Sequence, residues 1–134
     1  MPSSSRDFQR AALQRLTTAD FLLANDYTLD AMYLAGYTIE CTLKALILEV
    51  TPEADRPDTL KKISSGKKMH DTEVLAGILK DKGRPIPLDL VRRLRRSGWS
   101  TALRYETGRK DTGETRGFLK TAKATADWVE GQLP

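Results

Sequence analysis

One long apolar segment, residues 29–50, constrains the fold of this chain more than any other part of the sequence. Apolar or small residues recur along it at alternating steps of three and four: Leu29, Met32, Gly36, Ile39, Leu43, Leu46 and Val50. This spacing places them in one row along an α-helix. The flanking rows are also largely apolar, and a helix that is apolar nearly all round must be covered by other elements. The sequence therefore predicts a central helix over 29–50, with the rest of the chain packed around it.

Four further helices are predicted from helical spacing and from start and stop signals at their ends. The first would pair with the central helix through a very short turn, as an αα-hairpin. These helices are predicted to run from the serines at 3–5 to 25–26, from Asp71 or Thr72 to Gly83, from Pro87 to 97–98, and from about Thr115 onward.

Two connecting segments separate these helices. Residues 52–70 are polar and interrupted by Pro57 and Gly66, so they are predicted to be mostly loop. Residues 99–105 fit either a short helix or an ordered connection. No stretch alternates with the period of two that is typical of a strand. The predicted fold class is all-α, with residues 1–134 forming one antiparallel bundle of about five helices.

Composition excludes several classes of site. A single cysteine, Cys41, permits no internal disulfide, and one cysteine with one histidine, His70, cannot form a structural zinc site. Charges interrupt every apolar segment, and the N-terminal residues lack the apolar core of a signal peptide. We therefore expect a cytoplasmic protein that binds no metal, requires no cofactor and makes no membrane contact.

Charge is distributed unevenly along the chain. Residues 1–55 carry four basic and eight acidic side chains, a net charge of −4, whereas residues 56–134 carry eighteen and ten, a net charge of +8. This asymmetry indicates an anionic partner such as nucleic acid, a nucleotide or an acidic protein. A solvated surface that keeps the protein soluble is an equally good interpretation.

The densest basic cluster lies in the predicted fourth helix and comprises Arg92, Arg93, Arg95 and Arg96. Arginine suits bidentate contacts with phosphate, and clustered basic residues are typical of a nucleic-acid surface. A solvated helix face explains the cluster equally well. No aromatic residue alternates with these arginines, which argues against stacking on single-stranded bases.

Four other residues are candidates for a specific polar role. Glu40 and Lys44, one turn apart on the central helix, form either an ordinary helix pair or a buried pair that needs further partners. Arg104 lies between Leu103 and Tyr105, and we expect its guanidinium to contact Glu40 in preference to a ligand phosphate. His70 precedes a predicted helix start, where capping or packing is favoured over a role as general base.

Taken together, these segments resemble a HEPN domain. The resemblance covers most of the chain and is carried by the segments at 32–49, 69–79, 103–106 and 118–133, in this order and spacing. Its strongest element is AGYTIECTLKALI at 35–47 together with His70-Asp71 and Arg104-Tyr105. It implies an up-and-down bundle of four to five helices, commonly a homodimer with a cleft at its interface. It also implies association with a small nucleotidyltransferase, as in toxin–antitoxin pairs. The same resemblance implies contact with RNA or a nucleotide.

Many HEPN proteins are ribonucleases in which an arginine is followed, after four to six residues, by a histidine. This sequence departs from that pattern, because Arg109 stands where the histidine after Arg104 is expected. A guanidinium stays protonated near neutral pH and cannot act as a base. The sequence therefore favours a non-catalytic module that binds a nucleotide or an RNA phosphate through Arg104, Tyr105 and Arg109, with Lys44 and Glu40 beneath and His70 at the rim. The alternatives are a divergent metal-independent ribonuclease that uses Arg104 and His70, and a subunit whose basic face docks on an acidic protein.

Overall fold

The computed structural model describes residues 2–134, which form six α-helices and three short 3-10 helices and contain no β-strand. The 3-10 helices cover Glu53–Asp55, Lys67–His70 and Thr101–Tyr105. The predicted all-α class is confirmed. The α-helices are α1 (Ser5–Ala24), α2 (Thr28–Val50), α3 (Arg56–Ile63), α4 (Thr72–Asp81), α5 (Leu88–Ser97) and α6 (Thr112–Glu130).

Helix α2 lies at the centre, as its apolar surface predicts. Every residue from 42 to 48 is buried, including Lys44. Contacts reach α2 from α1, α3, α4, α6 and the 3-10 helix Thr101–Tyr105. Since α2 is covered on all sides over its second half, burial of its apolar side chains is the main source of stability in this fold.

The same helix is long and apolar enough, by length and composition alone, to cross a membrane. However, 78% of its most apolar window is buried inside the protein. A buried core helix passes the same test, because both environments demand apolar side chains.

Helices α1 and α2 run antiparallel, and buried polar contacts fix their register. Thr38 donates a hydrogen bond to the Ala12 carbonyl over 3.2 Å, and Thr42 donates to the Gln9 side-chain oxygen over 2.6 Å. The Gln9 amide in turn donates to the Ala126 carbonyl of α6 over 3.2 Å. Because each group in this network is buried and partnered, sliding one helix along another would leave polar groups unsatisfied.

The structure corrects the prediction that residues 52–70 are mostly loop. Helix α3 forms there because Pro57 lies in its first turn, where a missing N–H group costs nothing. The Arg56 guanidinium also donates to the carbonyls of Thr51 and Glu49, over 3.1 and 3.2 Å, and so ties α3 to the end of α2. The number of α-helices is accordingly six, whereas about five were predicted.

A close contact between α2 and the segment after α5 sets the position of residues 99–105. Gly98, with a φ of 61°, ends α5, and the Trp99 indole then lies directly over Gly36. Tyr33 stacks on the same indole and Tyr37 meets it edge-on, with ring centroids 6.4 and 5.5 Å away. The 3-10 helix Thr101–Tyr105 is thereby held against α2.

Candidate functional site

A buried carboxylate with two cationic or protonatable partners lies at the centre of the site. Glu40 accepts a hydrogen bond from the Lys44 ammonium at Oε2 over 3.0 Å, and its Oε1 lies 2.9 Å from His70 Nδ1. The side chains of Glu40 and Lys44 are each 7% exposed, whereas His70 is 46% exposed. Of the two interpretations of this pair, the structure fits the buried pair with a further partner.

The turn before α4 brings His70 to Glu40. Asp71 caps α4 by accepting a hydrogen bond from the Glu73 backbone N–H over 2.8 Å. Of the two roles that the sequence favours for His70, capping and packing, the cap is supplied by Asp71. The His70 ring contacts Glu40 instead, because the 3-10 helix Lys67–His70 places it against α2.

The predicted tie between Arg104 and Glu40 is wrong. Within residues 2–134, the only basic side chains with a nitrogen within 4.0 Å of the Glu40 carboxylate are Lys44 and His70. The exposed Arg104 side chain instead places its guanidinium over the Tyr105 ring, 4.9 Å from the centroid. The partners of Glu40 are instead Lys44, one turn further along α2, and His70 from the turn before α4.

Arg104 lines a pocket of about 530 Å³, which we call the Arg104 pocket. It lies between the turn before α4 and the 3-10 helix Thr101–Tyr105. Guanidinium and ammonium groups, a hydroxyl, an imidazole and an aromatic ring all border it, which suits an anion attached to a flat ring. Its lining residues are Gly66, Lys67, His70, Thr101, Ala102, Arg104 and Tyr105.

Arg109 lies outside this pocket. Its guanidinium is 3.8 Å from the Asp26 carboxylate, and it lines a different pocket beside the turn between α1 and α2. Arg104 and Arg109 thus face different surfaces, although the sequence places them in one candidate site.

The arginines of α5 do not form one continuous face. Arg95 pairs with Glu73 of α4 over 3.2 Å and lines a groove between α4 and α5. Arg93 and Arg96 line a different groove, next to Trp99, and Arg92 is exposed. The structure therefore divides the basic cluster, which the sequence treats as a single nucleic-acid surface, between two sides of the helix.

Two groups near Glu40 have raised pKa values. Burial, followed by the hydrogen bond and charge of Tyr33, raises the pKa of the Tyr37 hydroxyl, and the Arg104 charge acts in the opposite direction. Burial, reinforced by the Glu40 charge, raises the pKa of the Cys41 thiol to about 11. Both groups are therefore neutral at pH 7, and Cys41 is a poor nucleophile there.

Sequence reasoning missed Lys67 and Thr101 as pocket residues. Lys67 was predicted only as an exposed loop lysine, because its contact with the site depends on the 3-10 helix Lys67–His70. Thr101 lies in a segment whose structure was left open. Neither residue carries a local sequence signal that marks it as part of a site. No three His, Cys, Asp or Glu side chains of residues 2–134 are grouped so as to hold a metal ion.

Comparisons with known proteins found no match for this chain, whether among protein-family models, curated proteins or solved structures. The HEPN resemblance therefore rests only on the sequence segments at 32–49, 69–79, 103–106 and 118–133.

Proposed function

We propose that this chain is a HEPN-like helical bundle that binds a nucleotide or an RNA phosphate in the Arg104 pocket. One observation carries the proposal. Residues that are distant in sequence, His70 and the Arg104-Tyr105 pair, border one pocket, and Glu40 lies beneath it in contact with His70. These residues belong to the strongest element of the HEPN resemblance.

The chemistry of the pocket supports a phosphate attached to a base. The Arg104 guanidinium has no carboxylate partner within 4.0 Å in the described part of the chain, so its fork of donors is available to phosphate oxygens. Lys67 adds a second positive charge. Tyr105 is 77% exposed, and stacking of a base on such a ring contributes about 1–3 kcal/mol.

The proposal includes the assembly and partners that the resemblance implies. The chain would act in the cytoplasm as a homodimer, alongside a small nucleotidyltransferase in a toxin–antitoxin pair. A symmetric dimer is the commonest closed assembly, and Phe21 and Tyr27, 66% and 59% exposed, leave apolar surface available for one. Light scattering at high micromolar concentration should give twice the 15.0 kDa chain mass, and a monomer mass would contradict the dimer.

Binding is tested by comparing two arginine variants that each remove one exposed guanidinium. Arg104→Ala should weaken binding of AMP or of a short RNA by about 1.5–3 kcal/mol, because a charge-assisted contact is lost. Arg109→Ala removes the same charge outside the pocket and should leave affinity within about twofold, the size of a long-range charge effect at physiological salt. Fluorescence anisotropy measures the affinity of each variant for labelled RNA, and calorimetry measures its affinity for AMP.

Salt dependence provides the second readout. If RNA phosphates bind Arg104 and Lys67, the logarithm of affinity should fall linearly with the logarithm of salt concentration, since counterions are released. The slope should flatten in the Arg104→Ala variant and not in Arg109→Ala. An equal loss of affinity in Arg104→Ala and Arg109→Ala would contradict the Arg104 pocket as the binding site. An affinity that does not change with salt concentration would also contradict it.

One observation favours the divergent ribonuclease as a second candidate. A buried carboxylate holds Nδ1 of His70, and the same ring borders the Arg104 pocket. A histidine oriented in this way is the arrangement used for general-base catalysis, and Arg104 would stabilise the phosphate. RNA cleavage in EDTA that disappears in both His70→Gln and Arg104→Ala, with folding intact, would establish the ribonuclease. If the wild type does not cleave RNA under these conditions, the ribonuclease is contradicted and the non-catalytic binding function remains.

A further inference from the structure

A second groove lies on the other side of the 3-10 helix Thr101–Tyr105. Leu103 of this helix lines the groove, whereas Arg104 lines the Arg104 pocket, so the helix separates the two. The groove has a volume of about 590 Å³ and runs between α6 and the end of α5. We call it the Trp99 groove.

The floor of the Trp99 groove is apolar. Phe118 and Leu103 are only 6% and 8% exposed beneath it, and Met32 and Trp99 contribute partly exposed side chains. A ligand body that covers this floor would remove apolar surface from water, which is favourable.

The rim of the groove carries cations that lack a protein partner. The Lys110 ammonium lies 2.9 Å from the Glu106 carboxylate, so the charges of these two residues neutralise each other. By contrast, no carboxylate of the described chain lies within 4.0 Å of the charged groups of Arg93, Arg96 or Lys120. Glu114 is the one other acidic residue that lines the groove, which leaves the rim with a net positive charge.

We infer that the Trp99 groove is a binding site for a small organic anion with an apolar, preferably aromatic, body. The body would lie on Phe118 and Trp99, and its carboxylate, sulfonate or phosphate would contact Arg96 and Lys120. This site is separate from the Arg104 pocket, and the inference does not depend on the function proposed for that pocket.

Gly117 provides a steric test because it lines the groove from α6. A Cβ atom at this position would meet no other atom within 4 Å, so a larger side chain there is compatible with the fold. Gly117→Leu should therefore obstruct the groove without unfolding the protein. Gly77→Leu is the matched control, because Gly77 is an equally open helix glycine that lines the separate groove between α4 and α5.

The probe is 8-anilinonaphthalene-1-sulfonate, an aromatic sulfonate whose fluorescence rises in apolar surroundings. In an Arg104→Ala background, which removes the other site suited to an aromatic anion, the protein should bind one equivalent saturably. Gly117→Leu should weaken this binding by about tenfold or more, while Gly77→Leu leaves it unchanged. Thermal unfolding and near-UV circular dichroism of each variant verify that the fold is retained. Saturable binding that survives in Gly117→Leu would overturn the inference, as would no saturable binding in the Arg104→Ala background alone.

The charge requirement is tested with a double variant that keeps the apolar stems. Arg96→Met with Lys120→Met should weaken sulfonate binding by about tenfold, because two charge-assisted contacts are lost. Arg95→Met with Lys123→Met removes the same net charge outside the groove and should change affinity less than about twofold. Equal weakening by the two double variants would overturn the site. Both double variants are compared in an Arg104→Ala background, so that sulfonate bound in the Arg104 pocket does not contribute to the measured affinity and the result is separate from the test of that pocket.

Discussion

Gly36→Ala should destabilise the protein by about 1–3 kcal/mol, although alanine is the better helix former by about 1 kcal/mol. The added methyl group would occupy the space of the Trp99 indole, which lies directly over Gly36. The indole would have to move away from Tyr33 and Tyr37, and the 3-10 helix Thr101–Tyr105 would move with it. Denaturant unfolding gives the change in free energy, and the fluorescence of Trp99 in a Trp128→Phe background reports the displacement.

Gly77→Ala and Gly117→Ala are the matched controls for Gly36→Ala. Each lies inside a helix with open space around the new methyl group, so each should stabilise the protein by up to about 1 kcal/mol. Opposite signs at Gly36 and at these two positions would identify the Trp99 contact as the cause. A stabilising Gly36→Ala substitution would show that the indole does not pack there in solution.

Glu40→Leu should destabilise the protein by about 3–5 kcal/mol, because it leaves the buried Lys44 ammonium without a carboxylate. Both side chains are 7% exposed, so water cannot replace the lost partner. Adding Lys44→Met should recover most of this loss, since replacing a buried ion pair by apolar residues of similar size is often nearly neutral. A double-mutant cycle by urea unfolding measures the recovery.

A solvent-exposed ion pair supplies the control for this double-mutant cycle. Lys123 and Asp127 are also one turn apart, at 2.9 Å, but their side chains are 66% and 62% exposed. Removal of Asp127 should therefore change stability by no more than about 1 kcal/mol. A loss in Glu40→Leu as small as the loss in Asp127→Leu would mean that the Glu40–Lys44 pair is solvated.

Features that depend on neighbours in sequence were predicted well. The apolar rows of residues 29–50 predicted the central helix, and Asp71 was one of the two residues, with Thr72, at which the next helix was predicted to begin. Helix α3 was missed because Pro57 was interpreted as a breaker, whereas its effect depends on the helix turn that it occupies.

Features that depend on contacts distant in sequence were predicted only in part. Gly36 was placed in the apolar row of the central helix, but nothing local identified the indole of Trp99, 63 positions further on, as the group that packs on it. A further partner for Glu40 was one of two alternatives, and Arg104 was named as that partner, whereas His70 reaches the carboxylate only through the tertiary fold. Side-chain type predicts which groups need a partner, but the backbone path determines which partner is in reach.

The position of the 3-10 helix Thr101–Tyr105 has a thermodynamic consequence. This single turn is the partition between the Arg104 pocket and the Trp99 groove, and adjacent residues, Leu103 and Arg104, face the two compartments. A ligand that shifts the partition from one side changes the shape of the other compartment. If two occupants alter each other's affinity in this way, linkage requires the effect to be equal in both directions. The contact of Trp99 with Gly36 would determine the size of this mutual effect on affinity, because it determines how rigidly the 3-10 helix Thr101–Tyr105 is held against α2.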